Sequence, residues 1–242
     1  MATHALLNNV EHKNIKIITE RSAKYGDDQW FSPTFVAEFK TVQAHYPIMF
    51  QKNADTGEFT PVTLFGFKNN ENLFLNEGKW DASYIPLSMQ RLPFYIGTQH
   101  SVMNGVSEPQ RVITLDMDSP RVNDEQGVEL FLPFGGNSEY LENMANILEE
   151  LHQGLNANAL FVAALTHFDL LEAVTIDVTL NNDSQHQLIG FYTINEDKLA
   201  SLAADKVIKL HQSGYLEAIY MIIASQAHMR KLVERKNSQL TH

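Results

Sequence analysis

Residues Gly135 to Gly154 read GGNSEYLENMANILEELHQG, and the organisation of the chain changes there. Gly135, Gly136 and Asn137 form a turn signal. Ser138 is placed to cap a helix, and Glu139 and Glu142 fall in its first turn, where carboxylates complement the helix dipole. Leu141, Met144, Ile147, Leu148 and Leu151 then recur at helical spacing. Gly154 is expected to end this helix, with a second helix from about Asn158 to Leu171.

Beyond those helices lies the clearest strand of the chain. Val174, Ile176, Val178 and Leu180 alternate with Thr175, Asp177 and Thr179, the period of a half-buried strand. A turn cluster at Asn181 to Gln185 and a return at Leu188 to Ile194 predict a hairpin. Asn195 caps a short helix carrying Glu196 and Asp197 in its first turn. Helices over Lys206 to Gln212 and Tyr215 to Lys236 complete this half. In the last one, Leu216, Ile219, Tyr220, Ile223 and Ala227 form an apolar stripe expected to dock on the protein itself. Its charged end, Arg230 to Asn237, is expected to protrude and to be dispensable.

Upstream of Gly135 the pattern is short strands and irregular loops. Lys13 to Thr19, Thr34 to Val42, Ile48 to Gln51, Pro61 to Phe67, Arg111 to Asp116 and Glu129 to Phe134 read as strands. Strands first and helices later, without βαβ alternation, define an α+β protein. Its β-rich part covers about 1–134 and its helix-rich part about 135–242, with no linker or repeat between them, so a single domain is expected.

The densest aromatic segment is Asn72 to Gly97, NLFLNEGKWDASYIPLSMQRLPFYIG. Trp80, Tyr84, Phe94 and Tyr95 each bring a large apolar surface. Pro86 and Pro93 fix φ and remove amide donors, so the segment is neither a regular helix nor a central strand. Together with Arg91 these four aromatics are the ligand-binding candidates: an aromatic wall with one cation, suited to a peptide or an acidic small molecule. The competing and more ordinary arrangement buries the aromatics as core and pairs Arg91 with Asp81 or another carboxylate.

The same segment resembles the SapC family of bacterial proteins. Tyr84-Ile85-Pro86, followed by Arg91 and Pro93-Phe94, matches the family's pattern of tyrosine-isoleucine-proline leading to arginine, proline and phenylalanine. HYPIMFQKN at His45 to Asn53, PVTLFGF at Pro61 to Phe67, KWDA at Lys79 to Ala82, GFYTINEDKL at Gly190 to Leu199 and GYLEAIY at Gly214 to Tyr220 follow in the family's order. The family often carries two adjacent arginines where this chain has Gln90-Arg91, so half of any anion-holding fork is absent here. The family takes its name from a surface-layer protein. Some members are labelled peptide-transport permeases, and others are associated with clusters of outer-membrane receptors and tryptophan-halogenase-like flavoproteins. The resemblance therefore implies an accessory role, without naming a reaction.

Physical limits narrow these implications. A spanning helix needs roughly 20 consecutive apolar residues. Leu155 to Leu171 is interrupted by Asn156, Asn158, His167 and Asp169, Tyr215 to Ser225 is too short, and mean hydropathy is negative. A soluble protein that is not embedded in a membrane is expected. The net charge of −11 argues against nucleic acid, whose phosphates need clustered lysine and arginine. The absence of cysteine excludes disulfides, thiol catalysis and cysteine-zinc sites. The first residues, MATHALLNNVEHKNIK, lack a positive segment followed by an apolar one. A cytoplasmic location is expected, the alternative being export to the cell surface without that kind of signal.

Candidate chemistry is sparse. His167-Phe168-Asp169 has the H-x-D spacing of a facial-triad iron site, with His211 or His228 as a distal third ligand. Residues two apart on the predicted helix diverge by about 200°, so a helix-end histidine and a surface aspartate explain the pair better. Asp116-Met117-Asp118 has the spacing of a cation-holding D-x-D pair, and is equally a strand exit before Ser119-Pro120. Neither pair is assigned a metal. No dinucleotide, phosphate-loop, serine-hydrolase or zinc-protease motif is present, and no cofactor is expected. The sequence thus predicts a non-catalytic accessory, binding or assembly protein of the bacterial cell surface or an uptake cluster, with a homo-oligomer among its candidate assemblies. The alternative is a peptide- or small-molecule-modifying enzyme whose site the sequence does not display.

Overall fold

The computed structural model describes residues 3–103 and 106–240. Its first half contains β1 (His4–Leu6), β2 (Lys16–Ile17), β3 (Phe31–Pro33), α1 (Phe39–Val42), β4 (Ile48–Lys52), β5 (Phe59–Leu64), β6 (Leu75–Asn76), β7 (Lys79–Trp80), α2 (Leu87–Gln90), β8 (Phe94–Met103), β9 (Val106–Asp116), β10 (Val122–Asn123) and β11 (Val128–Glu129). The second half contains α3 (Glu139–His167), β12 (Leu171–Thr179), β13 (Gln185–Ile194), α4 (Glu196–Ala200), α5 (Ala204–Gln212), α6 (Tyr215–Ser225) and α7 (His228–Leu240). The protein is α+β. An antiparallel five-stranded sheet runs β12-β13-β4-β5-β3, and a separate sheet runs β1-β9-β8.

Ser138 caps α3 as its sequence implies, its Oγ accepting from the Leu141 amide at 3.2 Å. The expected stop at Gly154 does not occur: α3 continues to His167 and takes in most of the expected second helix. Gly154 is there for space. A Cβ at this position would lie 2.2 Å from the ring of Phe35, so the glycine seats that ring against the helix. Consequently α3 serves two apolar clusters. Leu141, Met144, Leu148 and Leu151 pack with Phe35, Phe94 and Leu115, whereas Phe161 and Leu165 pack with Phe39, Phe50 and the helices of the C-terminal part.

The β12–β13 hairpin forms with Thr175, Asp177 and Thr179 exposed and Val178 and Leu180 buried, matching the sequence alternation. Thr34 to Val42, expected as a strand, is instead a 3-10 turn leading into α1, because Phe39 and Val42, three apart, are both buried on one side. Glu129 to Phe134 yields only β11 and an isolated bridge at Phe131.

The C-terminal helix is also revised. It breaks between α6 and α7, where Ser225 and Gln226 turn to β4: Ser225 Oγ accepts from the Ile48 amide at 2.9 Å and Gln226 Nε2 donates to the Ile48 carbonyl at 2.7 Å. Ala218, Ile219 and Ile222 form the buried face of α6, while Tyr220 is exposed. The expected protruding end is docked. Lys236 Nζ meets Glu71 Oε1 at 2.6 Å with both side chains largely buried, Arg235 bonds Asp81 at 2.6 Å, and Asn237 Oδ1 accepts from the Asn181 amide. Among the described residues, no helix is long and apolar enough to cross a membrane.

Candidate functional site

Several remote pieces of chain meet around a cleft of about 840 Å³. One wall is β3 with Phe35 behind it, the second is α2 and the start of β8, and the third is the Leu148–Leu155 stretch of α3. The volume lies within the range of ~300–1,000 Å³ usual for ligand pockets. Phe35, Met89, Leu148 and Leu151 supply apolar surface.

Arg91 is the notable polar group. It directly follows α2, and its guanidinium donates from Nη1 to the Phe94 carbonyl at 2.9 Å and lies 4.1 Å from the Tyr95 ring centroid. Among the described residues it makes no ion pair with a carboxylate. Asp81, the partner expected from sequence, belongs to Arg235. Burial pulls the Arg91 pKa below its ordinary value, and its contact with Tyr95 opposes that shift. A half-buried cation with no carboxylate paired to it among the described residues therefore borders the cleft, a group able to donate to a carboxylate or phosphate oxygen.

The other candidates divide between different places. Trp80 is buried in the larger cluster, and its Nε1 donates to Tyr46 Oη at 2.7 Å. Tyr84 donates to Glu38 Oε1 at 2.8 Å, and burial followed by the Glu38 charge raises its pKa. Phe94 is fully buried in the smaller cluster. Only Arg91 and Tyr95 of the five border the cleft.

Asp116 and Asp118 border it as well. Asp116 Oδ1 accepts from the Asp118 amide at 3.1 Å, and Asp118 Oδ2 accepts from the Thr3 amide at 2.9 Å, so both serve the strand exit. His167 lies instead in a groove beside Phe59 and Pro61, and Asp169, at φ +55° just past α3, pairs with Lys198. Among the described residues no three histidine, aspartate or glutamate side chains converge as a metal cluster. The cleft also contains residues that the sequence reading did not single out, notably Ile96, Thr98 and His152. Alternating β-formers after Pro93, facing Val112 to Leu115, were the signal for the β8–β9 hairpin that places the first two.

An α+β framework with an arginine-bearing cleft is thus the class of protein that the chain builds. It belongs to the SapC family, whose model matches residues 7–232. No curated protein and no solved structure matches the chain.

Proposed function

We propose that this protein is a non-catalytic binding component, acting as an accessory of the cell surface or of an uptake system, and that its cleft holds an acidic, peptide-like or small-molecule ligand. The observation that carries this reading is Arg91: a half-buried guanidinium, without a carboxylate partner among the described residues, bordering a cleft partly walled by Phe35, Met89, Leu148 and Leu151. Arg121 is held differently: its buried guanidinium pairs with the buried Asp27. The sharing of α3 by both apolar clusters supports treating the chain as one domain.

The enzymatic alternative would draw on Ser83 Oγ and His45 Nε2, 3.0 Å apart. No carboxylate among the described residues bonds the far nitrogen of His45, and Ser83 and His45 do not border the Arg91 cleft. Binding is the better supported reading.

The test is calorimetric titration of the full-length protein with hippurate, a carboxylate on an apolar body, and with a pool of acetylated hexapeptides bearing free C termini. Saturable binding of at least one probe is expected. Arg91→Ala should weaken it by roughly ten- to a hundredfold, the worth of a charge-assisted hydrogen bond, and Arg91→Lys by less. Absence of any Arg91-dependent binding would refute the proposal.

A further inference from the structure

The cleft carries more than a cation. Strand β8 is the edge of its sheet, since among the described residues only β9 pairs with it. The hydrogen-bond parity of this sheet can be followed from its borders. On the far side of β9, the Leu7 amide donates to the Ile113 carbonyl and the Met117 amide to the Thr3 carbonyl. Ile113, Leu115 and Met117 therefore turn their backbone groups to the β1 side, and Val112, Thr114 and Asp116 turn theirs to β8. The Asp116 amide confirms this by donating to the Pro93 carbonyl at 3.1 Å. With the register Phe94↔Leu115 to Thr98↔Arg111 unbroken, Tyr95 and Gly97 face β9, while Phe94, Ile96 and Thr98 face outward.

The outward groups of Phe94 are taken. Its amide donates to the Arg91 carbonyl and its carbonyl accepts from Arg91 Nη1. Those of Ile96 and Thr98 have no partner among the described residues, and both residues border the cleft. Tyr95 and Ile96 also border it together. Successive side chains project to opposite faces of a sheet, so a cavity touching both runs along the strand's edge. Sheet edges are ordinarily blunted. The other long edge here is: Pro109, on the β1-facing side of β9 beyond the reach of β1, offers no amide. From Phe94 to His100, β8 has neither proline nor lysine.

We propose that the ligand is an extended peptide that adds to β8 as an antiparallel strand, with its C-terminal carboxylate on Arg91. This rests on the reading of the cleft as an acid-binding site. Ile96 and Thr98 present amide and carbonyl groups at the two-residue repeat of a strand, which an extended peptide alone satisfies in both senses. Arg91 lies at the Phe94 end, so a carboxylate there sets the chain direction antiparallel to β8. The peptide's inward side chains then meet Phe35, Leu148 and Leu151.

The full-length, nitrogen-15-labelled protein is titrated with three probes: the acetylated hexapeptide pool with free C termini, the same pool N-methylated at alternate residues, and hippurate. The free-carboxylate pool should shift the Ile96 and Thr98 amides and slow their hydrogen exchange by at least about tenfold, as expected for a newly made hydrogen bond. N-methylation should weaken binding by about tenfold or more while leaving the carboxylate intact. Arg91-dependent binding of hippurate without the peptide pool, or equal binding of both pools, would overturn strand addition and leave the acid-binding site standing. Loss of Arg91-dependent binding for all three probes would overturn both.

Discussion

Gly154 offers the sharpest test of how the cleft is built. Gly154→Ala is, on helix propensity alone, a stabilising change of about 1 kcal/mol in the interior of a helix. The structure reverses the sign. The added Cβ would stand 2.2 Å from Phe35 Cδ2 and 2.5 Å from Cγ, where a comfortable carbon–carbon contact is about 3.5–4.0 Å. The ring must retreat by about 1.3 Å or more to reach that range. Phe35 is 4% exposed, so it can retreat only by displacing its neighbours in the smaller cluster. Overpacking of this kind costs about 1–3 kcal/mol, which offsets the propensity gain and leaves a net loss of up to about 2 kcal/mol. Urea denaturation of wild type, Gly154→Ala, Phe35→Leu and the double variant measures the coupling. In the Phe35→Leu background the alanine should be neutral or stabilising. Phe35 also walls the cleft, so the single variant should weaken peptide binding. A raised midpoint for Gly154→Ala in the wild-type background, or the same cost in both backgrounds, would refute the reasoning.

Three further outcomes are expected. Asp27→Asn should cost about 3–5 kcal/mol in urea denaturation, because it removes the counter-charge of Arg121, whose side chain is 1% exposed, and of Arg21. Deleting 236–242 should lower the denaturation midpoint by the equivalent of about 1–3 kcal/mol, since it strands Glu71 without Lys236, and an unchanged midpoint would show that the docked end is idle. Glu38 is buried without a cation among the described residues, and desolvation raises its carboxyl pKa above the ordinary 4.5. The unfolded chain then releases its proton before the folded one, so wild-type stability should fall as pH rises from about 4.5 to the folded pKa, with a plateau above it. Glu38→Gln should remove that slope, its stability relative to wild type improving across the window; a relative loss with rising pH would mean that the carboxylate is the form the fold requires.

How far the sequence disclosed this architecture depends on the range of the interaction responsible. Ser138, Asn195 and the alternation from Val174 to Leu180 act over a few residues, and each produced the element expected of it. Gly154 and Ser225-Gln226 were misread because their partners are far away in the chain. A glycine inside an apolar repeat signals a stop in local terms, yet here the ring it accommodates belongs to Phe35. Likewise the side chains that interrupt the C-terminal helix are bonded to Ile48. The charged end followed the same rule, its solvated appearance giving way to contacts with Glu71, Asp81 and Asn181.

The candidate site follows from the same distinction. Arg91 and Tyr95 were legible because they are neighbours, and the stacking of one on the other is a local event. Trp80, Tyr84 and Phe94 share their segment but not their destination, because two clusters draw on the same run of aromatics. A row of unpaired amides has no residue signature at all: it arises from strand order, and strand order is set by which hydrophobic faces find each other. What the sequence does hold is the parity that makes the row usable. Pro93 cannot donate, the Asp116 amide reaches its carbonyl, and from that single bond outward the alternation assigns Ile96 and Thr98 to the cleft. A one-residue slip of β8 against β9 would turn both inward and present Tyr95 and Gly97 instead, where Arg91 no longer closes the first outward pair. The register that buries Phe94 against α3 is therefore the same one that opens the edge beside Arg91, and packing and the proposed binding depend on one alignment of two strands.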